Sequence, residues 1–426
     1  MFDKTKEILI QLEAQGNCTR QSVENIRYSL DKKVSLEIES YREQIKQSDL
    51  QKPIVAKYRE KIIVIYPCDP RYCTGCMSCV QSCPVKAISK IKDDEGFYII
   101  KIDETKCIGC NKCIDYCHVN KSKEIVLRTP RSLYACYSKS PTVRSNSSSG
   151  GVFSELAKKI LERGGAVFGA TFDHEFVVKH IGIKSEEELD KIRGSKYVQS
   201  DASNTFSEVK ECLEQNIVVL FSGTPCQAAA LRHYIGFNPN LYIVDVVCHG
   251  MSSPKFFHDY KEALIKEYGP IESFSFRNKI TGWKEYSICV KFKEGDEYTK
   301  KRLEEPYTKA FLEEYINKPV CHRCQYARCE RVGDITLADF WGFQTQSEKI
   351  NDDDKGISAC IINSLKGENL FNSIADKVVY EERNYIDLVN CNRPLKDPSL
   401  NNIDRSLFWD DYKEYGFGYA CEHWLG

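Results

Sequence analysis

The 426-residue chain has no excess charge of either sign, with 60 Lys and Arg against 61 Asp and Glu. Without a broad basic field it lacks an electrostatic footprint for nucleic acid or an anionic membrane, so partners must be recognised by local features. Long hydrophobic runs are missing too. No apolar stretch approaches the roughly 18 residues of a membrane span, and the opening MFDKTKEILIQ is charged where a secretory segment would be apolar. The expectation is a soluble, cytoplasmic protein that binds neither nucleic acid nor membrane. No GxGxxG follows any strand-like run, which excludes the Rossmann dinucleotide fingerprint, and no solenoid-length repeat occurs. The length allows two or three domains of about 150 residues each.

What the chain does have is cysteine, 21 in all. An odd count cannot pair fully within one chain, and a reducing compartment does not sustain a disulfide framework, so metal binding is the default explanation. CTGCMSCVQSCP places Cys73, Cys76, Cys79 and Cys83 in the spacing of bacterial two-cluster ferredoxins, and CIGCNKCIDYCH repeats it with Cys107, Cys110, Cys113 and Cys117. In that arrangement three cysteines wrap one cubane and the fourth reaches across to the other. The spacing therefore assigns Cys73, Cys76, Cys79 and Cys117 to one [4Fe-4S] cluster, and Cys107, Cys110, Cys113 and Cys83 to its neighbour. Zinc sites use two pairs of cysteines and match two four-cysteine runs poorly. Pro84 follows the first run as expected, whereas His118 occupies the equivalent place after the second. Cys68 has no role in this pattern and reads as a spare thiol.

Around this segment the grammar changes twice. Residues 1–60 are highly charged, with apolar residues spaced loosely as in helices, and read as a helical extension. KIIVIY (61–66) is a short β run that opens the ferredoxin-type segment, taken as 61–130. Residues 131–400 then alternate helices and apolar strands, and 401–426 read as a tail. GVFSELAKKILERGG is a helix stopping at Gly164; AVFGATF and FVVKHIGI are strands; Ser185 with Glu188, and Thr205 with Glu208, fit capping boxes. IVVLF (217–221) and LYIVDVV (241–247) look like buried parallel strands, separated by a helix starting at Thr224 and Pro225; Ser253 and Pro254 start another. The fold class is α/β and α+β, multidomain: a ferredoxin-like two-cluster domain followed by an α/β domain.

Cys226 lies just past the first of those strands and Cys248 just past the second. Parallel strands joined by a helical crossover present their C-terminal ends on one edge of the sheet, so the two thiols face one site. CHRCQYARCERVGDITLADFWG adds Cys321 and Cys324, with Cys329 in reserve. Four thiolates make a cluster site, although spacing alone leaves structural zinc and a thiol nucleophile at Cys226 open.

GTPCQ, the VCHG after a strand, the CxxC and GDITLADFWG together resemble the beta subunits of coenzyme F420 hydrogenases and dehydrogenases, especially the bacterial branch, over roughly residues 70–400. A plant and cyanobacterial branch of that superfamily contains 7-hydroxymethyl chlorophyll a reductase. The resemblance implies a flavin, FAD or FMN, beside a third [4Fe-4S] cluster on Cys226, Cys248, Cys321 and Cys324, and leaves Cys329 as an extra thiol. It also turns SNSSSGG from a linker into a phosphate cradle: Ser147, Ser148, Ser149, Gly150 and Gly151 run into a helix N-terminus. RGSKYVQS offers Ser195, Lys196 as a cation near phosphate or ring, and Tyr197 as a stacking surface; Gly223 and Thr224 lie beside Cys226, and His249 is a candidate for proton delivery.

The expected activity is that of a flavin-dependent iron-sulfur oxidoreductase. It exchanges a hydride or electron pair with a small-molecule redox substrate at the flavin N5, and relays single electrons to or from ferredoxin or another redox subunit. A homo-oligomer is compatible with this. The rival readings are a non-enzymatic electron-carrier subunit and a dedicated substrate reductase. Bacterial relatives often accompany polysaccharide-synthesis enzymes, which implies a glycan context for the latter.

Overall fold

The computed structural model describes residues 54–58, 61–343 and 349–426. The helical reading of the N-terminal stretch lies outside these residues except at its end, where β1 (Ile54–Tyr58) pairs antiparallel with β2 (Lys61–Tyr66). The cysteine-rich segment follows, with a second hairpin of β3 (Ile88–Lys92) and β4 (Tyr98–Ile102). Each four-cysteine run ends in a short helix, Ser78–Ser82 and Lys112–Asp115, and both helices start after a left-handed residue, Met77 and Asn111.

The remainder is organised by one eight-stranded sheet. It contains β5 (Ser132–Ser138), β6 (Ala166–Phe172), β7 (Val178–Ile183), β8 (Val219–Gly223), β9 (Leu241–Val246), β13 (Ile335–Asp339), β14 (Ser358–Ile362) and β15 (Val378–Glu382), in the order β15-β5-β14-β13-β9-β8-β6-β7. The four central strands β13, β9, β8 and β6 run parallel, and antiparallel strands flank them on both sides. Apolar runs that are continuous in sequence divide between the two faces with a period of two. Val219, Phe221, Leu241, Ile243, Ala166 and Phe168 enter one core, while Leu220, Val244 and Val167 enter the other. Val219, Leu220 and Phe221 are all fully buried. At about 1.5–3 kcal/mol for each such side chain, both faces must be covered by helices. Pro225–Ile235 and Thr205–Glu214 cover the first face, and Val152–Leu161 the second.

The helix starts read from sequence differ in detail. Thr224 and Gln227 complete a capping box, and the Ser253 hydroxyl accepts from the Phe256 amide at 3.0 Å. Thr205, however, is the first helical residue after Asn204, and Ser185 precedes a 3-10 turn rather than a capped α-helix. A separate three-stranded sheet, β10 (Ile271–Asn278), β11 (Ser287–Phe292) and β12 (Glu297–Lys301), packs with helix Pro254–Tyr268 around an aromatic core. Residues read as a tail belong to that core: helix Arg405–Ala420, kinked at Gly416, buries Phe408, Trp409 and Tyr412 in it. Among the described residues no helix is long and apolar enough to cross a membrane.

Candidate functional site

The twelve cysteines singled out by spacing fall into three groups. Cys73, Cys76, Cys79 and Cys117 line one cavity together with Gly75, Met77 and Ile100. A second cavity is lined by Cys83, Cys107, Cys110 and Cys113, so the fourth cysteine of each run does reach into the other group. The crossover follows from local geometry: each run places three thiols in a loop turned by a positive-φ glycine (Gly75, Gly109) and carries the fourth beyond a helical turn. Cys68 is not remote from this chemistry. It is buried, lines the first cavity, and hydrogen-bonds the Cys117 and Cys73 side chains; those contacts push its own thiol pKa up and, led by its hydrogen bond, hold Cys73 down at about 5.

The third group is built on the C-terminal edge of the sheet. Cys226 follows β8, Cys248 follows β9, and Cys321 and Cys324 arrive on and after the 3-10 turn Pro319–Arg323. They face one another. Burial, followed by the charge of Cys324, pushes the Cys226 thiol up to about 11, and Cys248 and Cys321 are raised by burial and then by their neighbours in the group. A helix N-terminus favours thiolate, but here desolvation wins, which makes Cys226 a poor free nucleophile. Among the described residues no three His, Cys, Asp or Glu side chains converge on a point that would hold a single ion. Four thiols in electrostatic reach of one another are the donor set of a [4Fe-4S] cluster or of zinc. Cys329 turns away, its Sγ 3.2 Å from the Leu395 carbonyl oxygen. Arg331, almost fully buried, lies close enough to Cys248 for its charge to act on the thiol, and is itself held by the buried carboxylate of Asp245.

The three groups are in series. Cys226 of the third acts electrostatically on Cys76 of the first, and Cys113 of the second acts on Cys79 of the first. Tyr326 fills the interval between the first and third groups, where Cys226, Cys324 and Cys76 all act on its hydroxyl. That hydroxyl lies 2.7 Å from Nδ1 of His118, whose Nε2 is 3.0 Å from the Thr74 hydroxyl. The histidine that replaces the usual proline is thus fully buried and links the two domains.

The remaining candidates also gather near the C-terminal edge. In the SNSSSGG turn the Ser147 and Ser149 hydroxyls donate to the Val143 and Ile357 carbonyls, and the Gly150 amide donates to Ser358 Oγ. These bonds, with Lys279 Nζ donating to the Ser149 carbonyl at 2.8 Å, fix the turn's shape. The amides of Ser148, Ser149 and Gly151 have no hydrogen-bond partner among the described residues, directly before helix Val152–Leu161. Ser195 donates through N and Oγ to the Ser148 hydroxyl at 2.9 and 3.0 Å. Half-buried Lys196 donates to the Arg193 carbonyl, and burial lowers its pKa to about 7. Tyr197 stacks one ring face on Phe311, and His249 places Nε2 2.8 Å from Glu314 Oε1. Gly223 ends β8, and the Thr224 hydroxyl lies 3.2 Å from Cys226 Sγ.

Sequence reading missed the residue that ties these pieces together. Arg277 on β10 is buried, pairs with Asp339 at the end of β13, and donates to the Tyr197 hydroxyl at 3.0 Å and the Ser148 carbonyl at 3.3 Å. Its Nε is buried without a partner among the described residues, a donor facing an acceptor that the protein does not provide. Asp339 stands within GDITLADFWG, but no local motif marks Arg277. Unpaired turn amides and an orphaned guanidinium donor at one edge fit an anionic, hydrogen-bonding ligand.

Residues 133–206 match the N-terminal domain of the coenzyme F420 hydrogenase/dehydrogenase beta subunit, residues 218–387 match the C-terminal domain of the same family, and residues 72–121 match "4Fe-4S dicluster domain". No curated protein matches. Among solved structures, a chain of the xenon-derivatised F420-reducing [NiFe] hydrogenase complex from Methanosarcina barkeri is similar at 17% identity and a TM-score of 0.41, covering 70% of this chain and 91% of that one. The chain belongs to the coenzyme F420 hydrogenase/dehydrogenase beta-subunit family, as an iron-sulfur oxidoreductase carrying a 4Fe-4S dicluster domain.

Proposed function

We propose that the chain is a flavin-dependent oxidoreductase that exchanges an electron pair with a small-molecule substrate and passes single electrons through three [4Fe-4S] clusters to or from a redox partner protein such as ferredoxin. The observation that carries this reading is the series of thiol groups from the edge of the sheet, where Cys226 neighbours Cys76, to the exposed end at Cys110. Cys226, Cys248, Cys321 and Cys324 would hold the cluster nearest the cofactor; Cys73, Cys76, Cys79 and Cys117 the inner one of the dicluster domain; Cys83, Cys107, Cys110 and Cys113 the outer one. Bound flavin supplies the conversion between paired and single electrons.

The chain's own residues do the rest. The free amides of Ser148, Ser149 and Gly151 would bind phosphate oxygens, with Lys196 as the nearby cation. Arg277 orients the turn and the Tyr197 loop against each other and keeps Nε available to the cofactor. Tyr326 and His118 fill the space between the third and inner groups and exclude water from it. At the far end Cys110 and Ile108 are exposed, giving a partner its closest approach.

Anaerobic purification, iron analysis, cofactor extraction and electron paramagnetic resonance test the reading together. About twelve irons per chain, an extractable flavin and three reducible cluster signals are expected. Protein that stays free of flavin after reconstitution with both FAD and FMN would refute the cofactor assignment.

A further inference from the structure

A cubane bound by four thiolates carries net negative charge, and its reduction potential depends on the charges and hydrogen bonds around it. The third group has a buried cation near it, but Arg331 is already paired with Asp245. The inner group differs. Lys318 comes from the α/β domain, three residues before Cys321, and is only 5% exposed. Its Nζ donates to the Tyr98 carbonyl at 2.9 Å and lies 5.4 Å from the Phe97 ring centroid. No carboxylate among the described residues comes within ion-pair distance of it. The ammonium is aimed at the loop between Cys73 and Cys76: a Cβ placed on Gly75 would come within 3.1 Å of Nζ.

A buried charge without a counter-ion is costly, and pairing is the usual resolution. Among the described residues, the only anion its geometry offers is the one that Cys73, Cys76, Cys79 and Cys117 would hold. We propose that Lys318 is the counter-charge of the inner [4Fe-4S] cluster, a positioning residue supplied by the α/β domain that raises that cluster's reduction potential. The inference rests on the ligand assignment proposed above. It gives the α/β domain a second role, setting the potential of a cluster it does not ligate. Lys318 thus differs from Arg331, whose charge is shared between Asp245 and the third group.

The test uses full-length protein purified anaerobically as wild type, Lys318→Met and Lys318→Arg, with redox titration followed by electron paramagnetic resonance and iron analysis. The inner cluster's signal is identified as the one lost in Cys76→Ala. In Lys318→Met that signal moves to more negative potential while the others stay, and Lys318→Arg keeps it near the wild-type value. Loss of about four irons in Lys318→Met but not in Lys318→Arg supports the same role through cluster retention. An unchanged inner potential in Lys318→Met, an equal shift of all signals, or iron loss in both variants overturns the proposal. Wild-type protein without dicluster signals removes the ligand assignment itself, a distinct failure visible before any variant is compared.

Discussion

Replacing Cys226 by alanine is the sharpest perturbation of the third site, because Cys329 provides a matched control in the same part of the molecule. Cys226 faces Cys248, Cys321 and Cys324, whereas the Cys329 thiol points to the Leu395 carbonyl. If the group holds a cubane, Cys226→Ala releases about four of about twelve irons and removes about a third of the cluster absorbance. The stability change follows from chain connectivity. A cluster joining Cys226 to Cys324 closes a loop of about 100 residues, and restricting the unfolded chain that far is worth about 4–5 kcal/mol. Cys226→Ala therefore lowers the denaturation midpoint substantially under anaerobic conditions, whereas Cys329→Ala changes neither iron content nor midpoint by more than a small packing cost. Full iron in Cys226→Ala, or equal losses in the two variants, would show that this group is not the ligand set.

Arg277→Leu leaves Asp339 without its buried partner, so it costs about 3–5 kcal/mol in chemical denaturation and lowers the fraction of flavin retained on purification; unchanged flavin retention would detach Arg277 from the cofactor. Burial holds Lys196 down to about 7, so it is a cation below that pH and neutral above it. Affinity for a flavin phosphate accordingly falls as pH rises through about 7, by about tenfold for one charged hydrogen bond, and fluorescence titration of Lys196→Met shows a flat profile. Cys68→Ala keeps the full iron content, because the inner cavity has four other thiols in the expected ligand pattern; loss of iron would place Cys68 among the ligands.

The strands were legible where one physical signal dominated. IVVLF and LYIVDVV are buried on both faces, and their largely apolar runs, broken only by Asp245, followed by Thr224-Pro225 or Cys248 read directly as parallel strands ending at a site. Cap positions were less secure, because Thr205 could serve as cap or as first helical residue and the choice depends on Asn204 and the packing of His180. The final helix was hidden for a different reason. Its apolar residues Phe408, Trp409 and Tyr412 pack on helix Pro254–Tyr268 and on Tyr315, and Gly416 interrupts the pattern, so local periodicity is weak and tertiary contact decides.

The site divides along the same line. Ligand spacing within each four-cysteine run is local, since three thiols must wrap one cubane, and it could be read from the numbers alone. The contacts that set the groups in series are not local: His118 meets Tyr326 across 208 positions, Lys318 meets Tyr98 across 220, and Arg277 meets Ser148 across 129. Each joins segments whose sequences contain no mark of the other. His118 shows the limit most clearly. In sequence it is only a departure from proline, yet proline has no side-chain donor or acceptor with which to meet the Tyr326 and Thr74 hydroxyls. A histidine at that place is therefore one of the residues, with Lys318, through which the dicluster segment is keyed to the α/β domain, and the same docking brings Cys76 into electrostatic reach of Cys226.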